Sequence, residues 1–424
     1  MEKKIFTVAI IGAGARGVDA YGWQFYDAKD KFKITAICDI NPVRLEYASN
    51  RFDVPKENRF ATEEEFFEAK RADLLLVSTQ DKDHIRHCVK GFALGYEIMT
   101  EKPLTDNAEE CQILLDAQKK AGKNALVCHV LRYAPAFLKT MEILESGKIG
   151  RLVAIDALER VSYWHQAHSY VRGNWRSTDE PCGSTPMILA KCCHDLDLLQ
   201  WYAKSKCKTI SSVGDLTFFT PENAPEGSAK RCVECKHCKT CPYSAETIYI
   251  NIWKKRGCPE DIWPYNVLVQ PPLTEEKLRQ AIAEGPYGRC VFHCDNNVVD
   301  HQITTMVFEN GVKATLTMTG FTAPGGRRYH FHGTLGELVL DELTNEITLW
   351  QYGEGPQVTK IDTLEDSGYA HGGGDVFLVK KLYEVLCGNA KADTSLEASV
   401  ESHLMGIRAE ESRLAEGKLV YVHK

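Results

Sequence analysis

No run of 18 or more apolar residues occurs in this 424-residue chain, so no membrane-spanning helix is expected. No basic or acidic block occurs either: 51 Lys and Arg are interspersed with 58 Asp and Glu, for a net charge of −7. That mixture offers no footprint for nucleic acid or an anionic membrane. Internal repeats and low-complexity tracts are absent, which argues against solenoids and disordered linkers. Despite 16 cysteines there is no disulfide framework; most stand singly and read as small buried hydrophobes of a reducing compartment. Glu2-Lys3-Lys4 and the apolar run to Ile11 imitate a signal peptide, but no small-residue cleavage site follows. The expectation is a cytoplasmic protein.

What is present is ordinary globular composition, 44% apolar and 26% charged, in a length suited to roughly two or three domains. Up to about residue 130, short apolar runs alternate with amphipathic stretches. Phe6–Ile11, Lys33–Cys38, Asp73–Ser78, Tyr96–Thr100 and Ala125–His129 read as strands. Thr62-Glu-Glu-Glu65 reads as a capping box, and Gly95 and Gly122 as helix ends. Repeated strand and helix order predicts an α/β fold, here a doubly wound parallel sheet over 1–130. Residues 131–424 predict an α+β domain with a large, open, mostly antiparallel sheet. Its elements include a helix at Pro135–Ser146, a strand at Arg151–Val161, a helix at Thr185–Lys204 and a closing helix at Leu396–Leu414. A loop-rich insert at about 215–300 carries the clustered cysteines.

Gly12-x-Gly14-x-x-Gly17 falls where the first strand gives way to a helix. A tight turn at Gly12, close approach of a pyrophosphate at Gly14 and helix packing at Gly17 explain that spacing, with Ala15 and Arg16 in the anion-binding turn. Asp39 ends the second strand 22 residues after Gly17, where a carboxylate accepts from a ribose 2′-hydroxyl and repels a 2′-phosphate. NAD is therefore expected rather than NADP. Thr100-Glu101-Lys102-Pro103 ends another strand, on the edge where open α/β sheets bind ligands.

From Asp73-Leu-Leu-Leu-Val-Ser-Thr79 through His84, Glu101-Lys102-Pro103, Arg132-Tyr133 and Gly147-Lys-Ile-Gly150, the chain resembles the Gfo/Idh/MocA family. Gly333-x-x-Gly336-Glu337, His371-Gly-Gly-Gly-Asp375 and Glu410-Glu-Ser-Arg413 extend the resemblance nearly to the end, most weakly over the insert. It implies a Rossmann domain, a second domain with an open sheet, a nicotinamide cofactor, sugar or polyol substrates, and a homo-oligomer, dimer or tetramer. It also implies cofactor contacts at Thr79, His84, Glu101 and Lys102, with Lys102 beside the reacting carbinol. Many relatives carry Asp-x-x-x-His on the helix after the aromatic loop; here His194 is retained as acid or base, while Ala190 replaces the aspartate. Lys191 adjoins that gap, and helical spacing would bring it onto one face with His194, Asp195 and Leu198. It is expected to modify His194 or to contact substrate.

Trp164, His165, Trp175 and Arg176 form a loop suited to the apolar faces and hydroxyl rims of a sugar. Arg132, Tyr133, His301, His371 and Asp375 are further substrate candidates. Cys232-x-x-Cys235-x-x-Cys238-x-x-Cys241 has metal-like spacing, and Cys290 stands available to complete a structural zinc site. Free thiols, a disulfide or an iron–sulfur cluster remain open for the same residues. The leading expectation is an NAD-dependent oxidoreductase acting on a sugar, polyol or glycoside. The alternative is a redox-neutral, NAD-dependent glycoside hydrolase that works through a 3-keto intermediate, with Lys191 as a possible base. A silent NAD-binding regulator is disfavoured by the presence of Lys102 and His194.

Overall fold

A computed structural model describes residues 4–363 and 371–423. Two sheets organise the chain. The first holds β1 (Phe6–Ile11), β2 (Phe32–Cys38), β3 (Arg59–Phe60), β4 (Leu74–Val77), β5 (Glu97–Thr100) and β6 (Ala125–Val127). All pairs are parallel, in the order β3-β2-β1-β4-β5-β6. Ala9 and Ile10 of β1 and all of β4 are wholly buried, as strands covered on both faces must be. The strand order reverses between β1 and β4, and this opens the crevice where such sheets take ligands.

The second sheet has β7 (Leu152–Ser162), β8 (Cys207–Asp215), β9 (His301–Phe308), β10 (Lys313–Thr322), β11 (Gly326–Gly333), β12 (Gly336–Asp341), β13 (Glu346–Gln351), β14 (Gln357–Lys360) and β15 (Val420–Tyr421). Its order is β14-β13-β12-β11-β7-β10-β9-β8-β15, and only β7 and β10 run parallel. Burial alternates along β9, β10 and β11. In β11, Tyr329 and Phe331 face the core while Arg328, His330 and His332 face outward.

Two departures from the sequence expectation bear on the site. The helix Gly374–Leu386, which has no counterpart in the sequence expectation, buries Leu378, Val379, Leu382 and Tyr383 in the core that β1 and β2 occupy. The helix expected over Thr185–Lys204 is broken into Met187–Ala190 and Cys193–Ala203. The 215–300 insert also carries its own core, with Phe219, Tyr249, Trp253, Leu278 and Ile282 packed on Ala167 and Val171.

Candidate active site

The turn after β1 has the geometry a dinucleotide needs. Gly12 sits at φ 94°, and a Cβ there would lie 2.5 Å from the Ser78 carbonyl oxygen. At Gly17 a Cβ would lie 2.1 Å from the Gly12 oxygen, so helix and turn touch only because both residues are glycine. Gly14 has no atom within 4 Å of that position, which leaves its backbone open to a phosphate. Asp39 closes over the turn: its carboxylate accepts from the N–H of Ala13 (2.6 Å) and of Asn41 (2.7 Å). Donors, open space and acid together fit NAD.

The Arg16 guanidinium is held by acidic and phenolic groups. It donates to Glu101 (Nε, 2.6 Å), to Asp375 (Nη2, 2.6 Å) and to the Tyr21 hydroxyl. Burial opposes its charge, but Asp375 and Glu101 outweigh that and hold the guanidinium above its usual range. Asp375 also pairs with His371 Nδ1 (2.9 Å). Arg16, Glu101, Asp375 and His371 thus form one hydrogen-bonded chain joining the nucleotide turn to the helix Gly374–Leu386. His84, expected at the cofactor, lies between the carbonyls of Pro103 (2.6 Å) and Thr79 (3.1 Å), and Thr79 Oγ1 meets His87 Nδ1 at 3.1 Å. These contacts fix the Lys102 turn from beneath.

Lys102 extends from the end of β5 and donates from Nζ to the Ala190 carbonyl (3.0 Å). That oxygen is free because the helix breaks at Lys191 and Cys192; in an unbroken helix it would accept from the N–H of His194. The break therefore brings Lys102 up to the start of the helix bearing His194. His194 is 5% exposed, and its Nδ1 has no partner. Burial first, then the charges of Lys102 and Arg327, push it well below the usual histidine range, so at neutral pH its imidazole is an uncharged proton acceptor.

His129, which the sequence reading passed over, stands just beyond β6 with its ring 5.8 Å from that of His194. It is buried, and neither of its nitrogens has a partner. Its place at the carboxyl end of a parallel strand is the signal that could have found it. The His371 ring is 6.0 Å from His194 on another side. Lys102, His129, His194 and His371 therefore converge where the two sheets meet.

Lys191 does not share the His194 face. Its Nζ pairs with the buried Glu159 of β7 at 3.3 Å. Glu159 also takes Arg327 (2.9 Å), and Arg327 takes Asp195 (2.9 Å), which accepts from the Tyr329 hydroxyl (2.6 Å). His165 lies near this group; burial, then Lys191, His168 and Lys102, hold it well below the usual histidine range. Its ring stands 4.9 Å from Trp263 of the insert, and Trp164 stands 5.4 Å from the same ring. Trp263 joins this aromatic wall without any signal in the sequence.

Other expected substrate residues are engaged elsewhere. Arg132 makes a buried two-bond pair with Asp197 (2.6 and 2.7 Å), and the Tyr133 hydroxyl meets Thr394 Oγ1 at 3.0 Å. The Trp175 N–H donates to Asp81 (3.1 Å), Arg176 grips Asp295 (2.8 and 3.0 Å), and His301 pairs with Asp300 (2.9 Å). Each polar group thus has a partner within the fold. Cys232, Cys235, Cys238, Cys241 and Cys290 line a separate cavity in the insert, and no disulfide joins them. Among the described residues, only Asp156, His330 and His332 bring three metal-type ligand atoms within 4.8 Å of one another; Asp156 and His330 pair across β7 and β11, on the face turned away from the core.

Comparison with known proteins agrees with this geometry. Residues 6–129 match the family described as "Oxidoreductase family, NAD-binding Rossmann fold", and residues 137–236 match the "GFO/IDH/MocA C-terminal domain", together more than half of the chain. The chain belongs to the Gfo/Idh/MocA family. It is an enzyme of this NAD-dependent oxidoreductase family. The oxidoreductase YteT of Bacillus subtilis (strain 168) is 22% identical over 83% of this chain and 82% of its own. Inositol 2-dehydrogenase of Corynebacterium glutamicum is 24% identical, over 49% of this chain and 57% of its own. Levoglucosan dehydrogenase, solved with NADH and levoglucosan, superposes with a TM-score of 0.71 at 16% identity, covering 99% of this chain and 100% of its own. That likeness concerns the fold. No helix among the described residues is long and apolar enough to cross a membrane.

Proposed function

We propose that this enzyme oxidises a secondary hydroxyl of a sugar or polyol with NAD, and that His194 takes the hydroxyl proton while Lys102 holds the oxygen. The observation that carries this reading is the unpartnered Nδ1 of a buried, uncharged His194 beside the Lys102 ammonium. When bound, the nicotinamide supplies the hydride acceptor. An ammonium next to the substrate oxygen stabilises the negative charge that develops as the O–H proton moves to His194 Nδ1. As that proton leaves and the carbinol C–H is given up as hydride, the C–O single bond becomes a carbonyl. Trp164, His165 and Trp263 offer an aromatic wall for the C–H faces of a ring. Asp39 favours NAD, because a 2′-phosphate at its carboxylate would meet like charge. The names of the inositol and levoglucosan dehydrogenases support the substrate class.

The redox-neutral glycosidase reading rests on the aromatic loop and on Lys191 as a possible base, and the Glu159 pair occupies that amine. A time-resolved spectrum with limiting NAD separates the two, using free polyols, free sugars and nitrophenyl glycosides. Growth of the reduced-nicotinamide band until NAD is consumed supports the dehydrogenase. Nitrophenolate released far beyond the NAD present would instead make the enzyme a hydrolase.

A further inference from the structure

Arg172 is 1% exposed and, among the described residues, pairs with no carboxylate. Its Nε donates to the Arg289 carbonyl (2.6 Å) and its Nη2 to the Tyr243 carbonyl (2.6 Å) and the Cys232 sulfur (3.6 Å), while Nη1 has no partner. A buried guanidinium facing only neutral groups is unfavourable, so the chain has a reason to place negative charge beside it.

Among the described residues, the groups at hand that can carry negative charge are thiols and the Tyr249 phenol. Cys232, Cys235, Cys238, Cys241 and Cys290 surround, with Arg172, a small cavity of about 20 Å³. Residues 225–244 form no strand and only a single helical turn at Cys232–Glu234, so ordinary secondary structure does little to order them. Cys290 is brought alongside from 58 residues away in sequence. Its N–H donates to the Lys230 carbonyl (2.9 Å), and Arg231 bridges to Arg289. Protonated thiols would leave Arg172 without a compensating charge. A bound metal deprotonates its thiols, and four thiolates around a dication leave a net negative centre.

We propose that Cys232, Cys235 and Cys290, together with Cys238 or Cys241, bind a thiophilic metal as thiolates, and that Arg172 is the buried counter-charge of that centre. No three of these sulfurs lie within 4.8 Å of one another. A single zinc, about 2.3 Å from each sulfur, requires the ring to close inward, whereas an iron–sulfur core fills a wider ring. Either metal neutralises Arg172 in the same way. Arg172 ends the helical segment Gln166–Arg172, which follows directly on Trp164 and His165, so the centre pins the aromatic wall from behind.

The test is elemental analysis of protein purified without added metal, once in air and once under anaerobic conditions. About one equivalent of zinc, released by a mercurial thiol reagent, supports a mononuclear site; iron with acid-labile sulfide supports a cluster on the same thiols. Less than about a tenth of an equivalent of any thiophilic metal in both preparations overturns the proposal. Cys232→Ser and Cys290→Ser should each lower the bound metal at least tenfold, whereas Cys258→Ser and Cys387→Ser, at exposed positions, should retain it. Full metal content in the Cys232→Ser/Cys290→Ser double variant would also overturn it. Mercurial release from the wild-type protein decides the matter should the variants fail to fold.

Discussion

The His129 ring meets that of His194 nearly edge to face, 5.8 Å apart at 82°, and at their junction three ring nitrogens lack a hydrogen-bond partner. Buried polar atoms without partners are rare in folded proteins, and a cluster of them beside Lys102 marks where a hydroxyl-bearing substrate would be bound. His129→Phe keeps the ring's bulk and removes both nitrogens. The expected result is a fall of at least about tenfold in kcat/KM with NAD affinity and melting temperature little changed. His194→Ala should cost more, about 10²- to 10⁴-fold in kcat, because it removes the proton acceptor. Unchanged kcat/KM in His129→Phe would show that this pocket does not contact substrate.

The glycine turn separates binding from folding. Gly14→Ala places its methyl in open space, so stability should hold while NAD affinity, followed by fluorescence titration, falls at least about tenfold as the pyrophosphate is kept away. Gly17→Ala meets the Gly12 oxygen at 2.1 Å and should lower stability as well as affinity. Equal NAD affinity in Gly14→Ala and wild type would remove the turn from the cofactor site.

Four buried histidines predict acid sensitivity. Burial holds His168 and His403 down to about 3, and His129 and His194 well below their usual range. His403 shows why: Nδ1 donates to the Ser399 carbonyl (2.6 Å) and Nε2 accepts from the Leu104 N–H (2.8 Å), so a second ring proton would break the latter bond. Each folded value lies below the unfolded one of about 6.5, so this stability is full above pH 6.5 and is lost as pH falls. Each such histidine contributes up to about 1.4 kcal/mol per pH unit. Urea midpoints at pH 7.5, 6.0 and 5.0 should fall in that order. Glu63, held near 2 by Lys90 and His87 against burial, titrates in the fold well below this window.

Much of the fold was legible in the sequence, because strand periodicity and the glycine spacing are local signals. Phe6–Ile11 was read to the residue, and β4 and β5 to within two. The break after Ala190 was not legible, since Met187-Ile-Leu-Ala continues smoothly into Lys-Cys-Cys-His, and the partner that takes up the freed Ala190 carbonyl, Lys102, lies 88 residues away in sequence. The same holds for Lys191, whose partner Glu159 lies on β7, and for Trp263, which reaches His165 only through the folded insert. Arg132, Trp175 and Arg176 had residue types suited to a sugar site, yet type alone does not show that Asp197, Asp81 and Asp295 stand closer.

The Arg132–Asp197 pair gives the sharpest separation of structural from catalytic residues. Both side chains are buried, joined by two bonds of 2.6 and 2.7 Å, and Arg132 reaches on to the Asp393 carbonyl (3.2 Å), tying β6 to the helix Cys193–Ala203 and to the segment before Leu396. Asp197→Ala leaves a buried arginine without its anion and should destabilise by about 3–5 kcal/mol. Arg132→Met with Asp197→Leu removes both charges and should recover most of that loss, because neither desolvation nor an unpaired charge remains. If Arg132 instead bound substrate, the double variant would fold well and still lose activity. The structural role predicts the opposite: a double variant whose urea midpoint and kcat/KM both return towards wild type.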